Sequence, residues 1–356
     1  MADVTVLIFH RPAAEGEPEL VRTLAEIRAE LADRDARMFE RAGASAVQVM
    51  TEWHDGLAFG QVLSKLAPPR GGLIVLSGGA VPLLNARDAS RLVKAAAADE
   101  RRAVTNNRYS SDVCAVAHAE SLRDLPPLPS DNALPRWLEE RAGYEVAELG
   151  SRERLAVDLD TPLDVALAAR AATAPAWLKS RAADAKLDIP RLDELRALVA
   201  DPHRQLLVFG RTSSSTLSWL ERNVRCRVRF LAEERGMRAS SPLAIGGPQL
   251  STEQRKPAAT LGLLLDERGP AAFGDLVSEL ADGAIVDSRV LLAHRLGADE
   301  TAWPSVADRF ASDLHRASDV HDPWLRALTE SAAASRLPIL LGGHSLVGPG
   351  VRLLLG

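Results

Sequence analysis

The stretch GGLIVLSGGAVPLLNARDASRLVKAAA, residues 71–97, decides the fold. Residues 72–76 form a short apolar run of strand length, bounded by glycines, which reads as a buried strand. A Gly-rich turn follows at Ser77, Gly78 and Gly79, and helical spacing takes over across 88–98. Working outward, the same alternation repeats. Upstream lie a strand over 4–9, a polar loop over 10–18, and a helix over 19–42 with Leu20, Leu24, Ile27 and Leu31 on one stripe. A strand over 46–50 and a helix over 59–66 complete that side. Downstream lie strands over 102–105 and 113–117, a Pro-rich loop over 125–130, and a helix over 132–142. Short strands over 144–148 and 155–157 precede a helix over 164–172, introduced by Thr161 and Pro162. Strand–helix alternation predicts a mainly parallel sheet covered on both faces.

An Ala-rich helical stretch, 169–185, reads as the connection to a second alternation. Strands are expected over 205–209, 225–231, 260–265, 284–286 and 338–341, with helices over 215–223, 272–280, 308–317 and 324–334. The expected organisation is α/β throughout: a first domain over 1–172, a helical linker over 173–190, and a second, Rossmann-like α/β domain over 191–356.

Composition narrows the function classes. The 356 residues are 46% hydrophobic but only 4% aromatic, so aliphatic side chains must fill the cores. A net charge of −5 argues against a nucleic-acid partner, which calls for a basic face. No apolar run approaches the roughly 20 residues that span a bilayer. The N-terminus lacks the basic n-region of a signal peptide, so a cytoplasmic location is expected. Cys114 and Cys226 stand far apart and outside any CxxC or Cys/His cluster, which argues against zinc and, in that compartment, against a disulfide.

Two segments, 71–97 and LAVDLDTPLDVALAA over 155–169, resemble the core of the nucleotidyltransferases with a GT-A-like fold, among them the molybdenum-cofactor guanylyltransferases and the 2-phospholactate guanylyltransferases. The resemblance covers about residues 1–172. It implies transfer of a nucleoside monophosphate from an NTP to a small phosphorylated or carboxylated acceptor, with Mg²⁺ and a nucleotide bound and with Asp158 and Asp160 as metal-binding catalytic residues. Two departures stand against it. The family's first metal-binding Asp precedes the Pro-Leu-Leu turn, where this chain has Ala80. The loop after the first strand, which in the family is Gly-rich and basic, here reads HRPAAEGEPE, with one glycine, three glutamates and Arg11 as its cation. Glutamates facing a triphosphate repel it. The alternative reading is therefore a catalytically degenerate relative that binds a small anionic molecule.

The residues themselves support part of this. Asp158 and Asp160 lie two apart at an expected strand end, so both project to one side, and paired carboxylates suit Mg²⁺. Asp160 is equally suited to N-cap the helix that begins at Pro162. Thr105, Asn106, Asn107, Arg108 and Ser110 offer neutral donors and one fork-shaped cation for a phosphate or carboxylate; a polar surface hairpin is the competing reading. His54 and Asp55 are a possible acid–base pair in a loop.

In the second half, LLVFGRTSSST over 206–216 runs a strand into Gly210, Arg211, Thr212, Ser213 and Ser214 and then into a helix, which makes an anion site at a helix N-terminus. It is not a Walker A loop, and capping by Ser213 or Ser214 explains the serines equally well. Glu233, Glu234, Arg235 and Arg238, then Arg289, then His344 and Ser345 also follow strands, where ligands collect in α/β sheets. His344 and Ser345 are adjacent and lack the G-x-S-x-G elbow, which argues against a serine hydrolase. Asp308, Arg309 and Asp313 share a helical face and read as a solvated, salt-bridged surface.

Overall fold

The computed structural model describes residues 3–52, 56–128, 130–150, 154–234 and 256–356. Two compact units divide them: residues 3–15 and 25–159 form the first, and 16–24, 160–234 and 256–356 the second.

The first unit carries a six-stranded sheet of order β2-β1-β3-β5-β4-β6. Its strands are β1 Val4–Phe9, β2 Ala46–Met50, β3 Gly72–Ser77, β4 Arg102–Thr105, β5 Val113–Val116 and β6 Glu145–Glu148. The sheet is mixed: β5 runs antiparallel to both β3 and β4, while every other pairing is parallel. The short return between β4 and β5 leaves no room for the crossover that parallel neighbours need. On β1, Val4, Val6 and Ile8 face one core and Leu7 the other, which is strand alternation in a sheet buried on both faces. Residues 25–41 of α1 (Glu19–Arg41) and α3 (Ala86–Ala96) supply the first core; α2 (Phe59–Leu66) and α4 (Leu134–Glu140) supply the second. Asn85 caps α3 by accepting from Arg87 N and Asp88 N, and Asp88 returns a bond to Asn85 N.

The strand expected over 155–157 does not form; Arg154–Ala156 is a single 3₁₀ turn. Leu155 O accepts from Asn106 Nδ2 at 2.8 Å instead of from a neighbouring strand. Arg154 is drawn inward, bonded to Asp88 at 2.6 Å and to Leu83 O.

The second unit is built on a four-stranded, wholly parallel sheet of order β10-β9-β7-β8: β7 Gln205–Gly210, β8 Arg227–Ala232, β9 Gly283–Asp287 and β10 Ile339–Gly342. Its helices begin with α5 (Pro162–Ala169), α6 (Ala176–Asp184), α7 (Leu192–Val199) and α8 (Ser214–Asn223). The Ala-rich stretch is thus two helices, and α6 buries Leu178 and packs on α5. Residues 260–265, expected as a strand, open α9 (Thr260–Arg268). Leu261 and Leu265 are buried while Leu263 is 56% exposed; a strand would place all three on one face, and a helix separates Leu263 from the other two. There follow α10 (Phe273–Leu280), α11 (Ser288–Leu296), α12 (Val306–Asp313), α13 (Pro323–Ala334), α14 (His344–Val347) and α15 (Gly350–Leu355). No helix among the described residues is long and apolar enough to cross a membrane.

Candidate ligand-binding site

Each sheet has a topological switch point, where the crossovers on either side lead away from each other and leave a crevice at the strands' carboxyl ends. In the first unit it lies between β1 and β3. A cavity of about 290 Å³ opens there. Its walls are largely apolar, from Phe9, Phe59, Val62, Val75 and Leu134. Its polar members are Ser77, Ser111, Asp112, Ser130 and Asp131. An apolar pocket with a few polar groups is the usual form of a small-molecule site. Cys114 also lines it; burial pushes this thiol up to about 12, which keeps it protonated and unreactive.

Thr105 and Asn106 stand behind this wall. Thr105 Oγ1 lies 2.9 Å from Ser111 Oγ. Asn106 Nδ2 donates to Asp112 Oδ2 at 2.6 Å and to Leu155 O, while its Oδ1 accepts from Asp112 N and Val113 N. Both residues are buried, and they hold Ser111 and Asp112 in the cavity wall. Arg108 pairs with Glu139 at 2.9 Å and donates to Val146 O, which fastens the β4–β5 return to β6. The segment is a structural hairpin whose last residues reach the cavity. Arg11 is exposed at the start of its loop.

On the other face of the sheet, at the same strand ends, stand His10, Arg28 and Asp158. His10 follows β1 and is 5% exposed. Burial, and then the Arg28 cation, hold its imidazole below the usual histidine value, with Asp33 pulling weakly the other way. Gly78 and Gly79 make the space. A Cβ on Gly78 would lie 3.1 Å from His10 Cβ and 3.2 Å from its Nδ1; one on Gly79 would lie 2.8 Å from Arg28 Nε and 3.3 Å from Asp158 Oδ1. Arg28 Nε donates to Leu159 O at 2.6 Å, tying α1 to a segment 131 residues away. Next in the turn, Val81 has φ +43°, a left-handed conformation that β-branched residues rarely adopt and that a following proline further disfavours. Such strain costs about 1–3 kcal/mol and concentrates at functional sites.

Asp158 lies next to Leu159, the last residue of the 25–159 segment of the first unit, and Asp160 opens the 160–234 segment of the second. Asp158 Oδ1 accepts from the next backbone amide, Leu159 N, at 2.9 Å. Asp160 is exposed and is not the cap of α5: Thr161 takes that role, accepting from Asp164 N while Asp164 accepts from Thr161 N at 2.7 Å. Asp164 is pushed up to about 7, first by burial and then by the charge of Asp160. The donor set of the first unit does not fit Mg²⁺. Ala80, where the nucleotidyltransferases that the sequence resembles carry a carboxylate, is fully buried among Val81, Leu84 and Ala89. Among the described residues no three His, Cys, Asp or Glu side chains are grouped to hold a metal.

In the second unit the switch point lies between β7 and β9, and internal carboxylates engage the arginines there. Arg211 donates to Asp287 through Nε at 2.6 Å and Nη2 at 3.3 Å. Arg289 is bound by Asp313 through both Nη atoms, Nη2 at 2.6 Å, and donates to Ser288 Oγ at 2.9 Å. Burial pushes the Asp313 carboxyl up, and the Arg289 guanidinium draws it back. Thr212 Oγ1 donates to Val347 O at 2.8 Å, and α14 packs over the ends of β7 and β9. Ser213 caps α8 by accepting from Thr216 N; Ser214 opens that helix, exposed. Gly210 has φ +132°, and a Cβ there would lie 2.2 Å from Asp287 Cβ, so only glycine fits. Ser345 is buried and His344 exposed. Glu233 accepts from Thr260 N at 3.0 Å and serves the start of α9. Asp308 and Asp313, expected on a solvated face, are 3% and 1% exposed: Asp308 accepts from Asp322 N, and Asp313 holds Arg289. Arg235, Arg238, His54 and Asp55 lie outside the described residues.

The expected sites therefore fare differently. Thr105 and Asn106 converge on the cavity from behind, whereas Arg211 and Arg289 converge on carboxylates of their own unit. His10 and Arg28 escaped the sequence reading. A signal for His10 was present: it is the first polar residue after β1, level with the Gly78–Gly79 pair that follows β3. No family model matches the chain, and a search of curated proteins found no match.

Proposed function

We propose that the first unit is a nucleotidyltransferase-like domain that binds a nucleoside-like small molecule in the β1/β3 cavity without transferring a nucleotide. One observation carries this reading: an apolar cavity at the switch point whose polar members include two carboxylates, with Asp112 held in place by Asn106. Carboxylates accept from the N–H groups of a nucleobase and repel phosphates. The buried Ala80 and the glutamate-rich loop after β1 favour binding over catalysis, because transfer needs stabilised phosphoryl charge. The resemblance of residues 71–97 and 155–169 to nucleotidyltransferases favours a nucleobase over other flat, donor-bearing rings.

Thermal unfolding tests the reading with the four common ribonucleosides and their triphosphates, each with and without Mg²⁺. A ligand at 100 times its dissociation constant adds about 2.7 kcal/mol to stability. The expected result is a raised midpoint with at least one nucleoside, independent of Mg²⁺. Two results would overturn it: no shift with any nucleoside, or Mg²⁺-dependent pyrophosphate release from an NTP that Asp160→Asn abolishes.

A further inference from the structure

We propose that β8, the outer strand of the second sheet, is a docking edge for an extended acidic segment of a partner protein, which adds to the sheet as a further strand and sets alternate carboxylates against Arg227 and Arg229. The inference goes beyond the ligand-binding reading of the first unit and does not depend on it.

The backbone supplies one half of the site. Among the described residues β8 pairs with β7 alone, at the end of the order β10-β9-β7-β8. Arg227 N donates to Arg204 O at 2.9 Å, and Glu233 N donates to Gly210 O at 2.8 Å. Backbone groups alternate along a strand, so residues 227, 229 and 231 turn theirs to β7, and Val228, Phe230 and Ala232 turn theirs outward. Such an edge is a template on which an extended peptide adds by main-chain hydrogen bonds. A strand added antiparallel bonds at Val228 and Phe230. Its remaining side chains then fall opposite Arg227 and Arg229, at the non-hydrogen-bonded positions where facing side chains stand closest. On the other face, Val228 and Phe230 are partly buried and offer an apolar contact.

Charge selects the partner. The stretch RNVRCRVR, 222–229, carries four arginines and no acidic residue in a chain of net charge −5, and all four arginines are exposed. Arg227 and Arg229 project to the same side of the sheet, about 7 Å apart along the strand. Arg229 Nε donates to Leu280 O at 3.1 Å, so that side is the one on which α10 ends. Arg222 and Arg225 extend the positive charge beyond the start of the strand. The carboxylates nearby are engaged elsewhere: Arg204 holds Asp282 at 2.9 Å and Asp201 at 3.7 Å, and Arg268 holds Glu279 at 2.8 Å. Carboxylates at alternate positions of an added strand complement the arginines, because opposite charges facing each other across strands attract. A second copy's β8 is refused, since antiparallel pairing sets arginine against arginine. A nucleic acid gains nothing from the free backbone edge, and the net charge of −5 opposes its approach.

The experiment is fluorescence anisotropy of the full chain with a labelled octapeptide, Thr-Glu-Val-Glu-Val-Glu-Val-Thr, at low salt. Three further probes are the same peptide with Lys for every Glu, the same peptide N-methylated at its valines, and an oligothymidylate of equal length. The acidic peptide should bind at least about tenfold more tightly than each of the three. Its affinity should fall as salt is added. The variant Arg225→Glu/Arg227→Glu should remove the preference for Glu over Lys; it leaves Arg229 on Leu280 O. Arg227→Gln is the milder second variant and should weaken the acidic peptide in the same direction, with unfolding midpoints confirming that both variants are folded. Four results overturn the proposal: an acidic peptide that binds no more tightly than its Lys counterpart, affinity that survives in both folded variants, equal binding of the N-methylated peptide, which would mean attraction by charge without strand addition, or tighter binding of the oligothymidylate, which would make the patch a nucleic-acid surface.

Discussion

Asp287, whose side chain is fully buried, accepts a 2.6 Å hydrogen bond from Nε of Arg211, the residue that follows β7. The same carboxylate accepts from Arg289 N and so caps α11. Desolvating two charges offsets much of their attraction, so the pair's net contribution is modest, but removing one partner strands the other. Arg211→Met should cost about 3–5 kcal/mol in urea unfolding. Adding Asp287→Asn to it should restore part of that loss, because the buried charge is gone. Strictly additive costs in the double-mutant cycle would show that the two residues do not act as a pair. An anion-binding role for Arg211 predicts instead that Arg211→Met leaves stability nearly unchanged.

Asp35 makes stability depend on pH. It sits on the buried stripe of α1 that includes Ile27, Leu31 and Phe39, it is 2% exposed, and its Oδ2 has no partner among the described residues. Burial raises its carboxyl well above the ordinary Asp value, and Arg34 only weakly opposes that. The folded protein then binds a proton that the unfolded chain releases near pH 4. Stability therefore falls as pH rises from about 4 through the folded value, and the full penalty applies above it. Asp35→Asn should flatten this slope and be more stable than wild type at neutral pH. Parallel midpoint-versus-pH curves for the two proteins would refute the assignment.

Asn106 tests the cavity wall. Its amide nitrogen faces two acceptors, Asp112 Oδ2 and Leu155 O, and its oxygen faces two donors. Asn106→Asp keeps the shape but turns the donor into a second carboxylate beside Asp112. The expected loss is about 3 kcal/mol at pH 7, smaller at pH 4 where a proton can be shared. Asn106→Asp should also weaken any cavity ligand, because Ser111 and Asp112 move with the hairpin. A stable variant with altered ligand affinity would instead mean that Asn106 touches the ligand directly.

Elements whose pattern and burial agree were legible in advance. β3 and α3 lie close to where the 71–97 stretch places them, since a fully buried strand must be an apolar run and Asn85 is a strong helix starter. The 155–157 segment was misread because its carbonyl is claimed by Asn106, 49 residues away, which no local pattern encodes. The 260–265 segment was misread because a short apolar run has no period of its own; exposure of Leu263 separates helix from strand only once the core is known. Arg211 and Arg289 do follow strands, as the sequence reading expected, but their carboxylate partners lie 76 and 24 residues away in sequence. Arg28 was invisible for the same reason: its bond to Leu159 closes a loop of 131 residues.

The order β10-β9-β7-β8 has a consequence for biosynthesis. β10 is the last strand made, and α14, which covers the ends of β7 and β9, is made after it. Until residues 339–347 leave the ribosome, β9 presents an open, wholly buried-type edge of five residues, with the Asp287 carboxylate at its tip uncovered. At roughly 5–20 residues per second, the nascent chain carries that edge for several seconds after β9 itself emerges. Unpaired apolar edges invite pairing with other chains, so folding helpers that shield strands during synthesis should raise the yield of this protein more than that of one whose edge strand is made first.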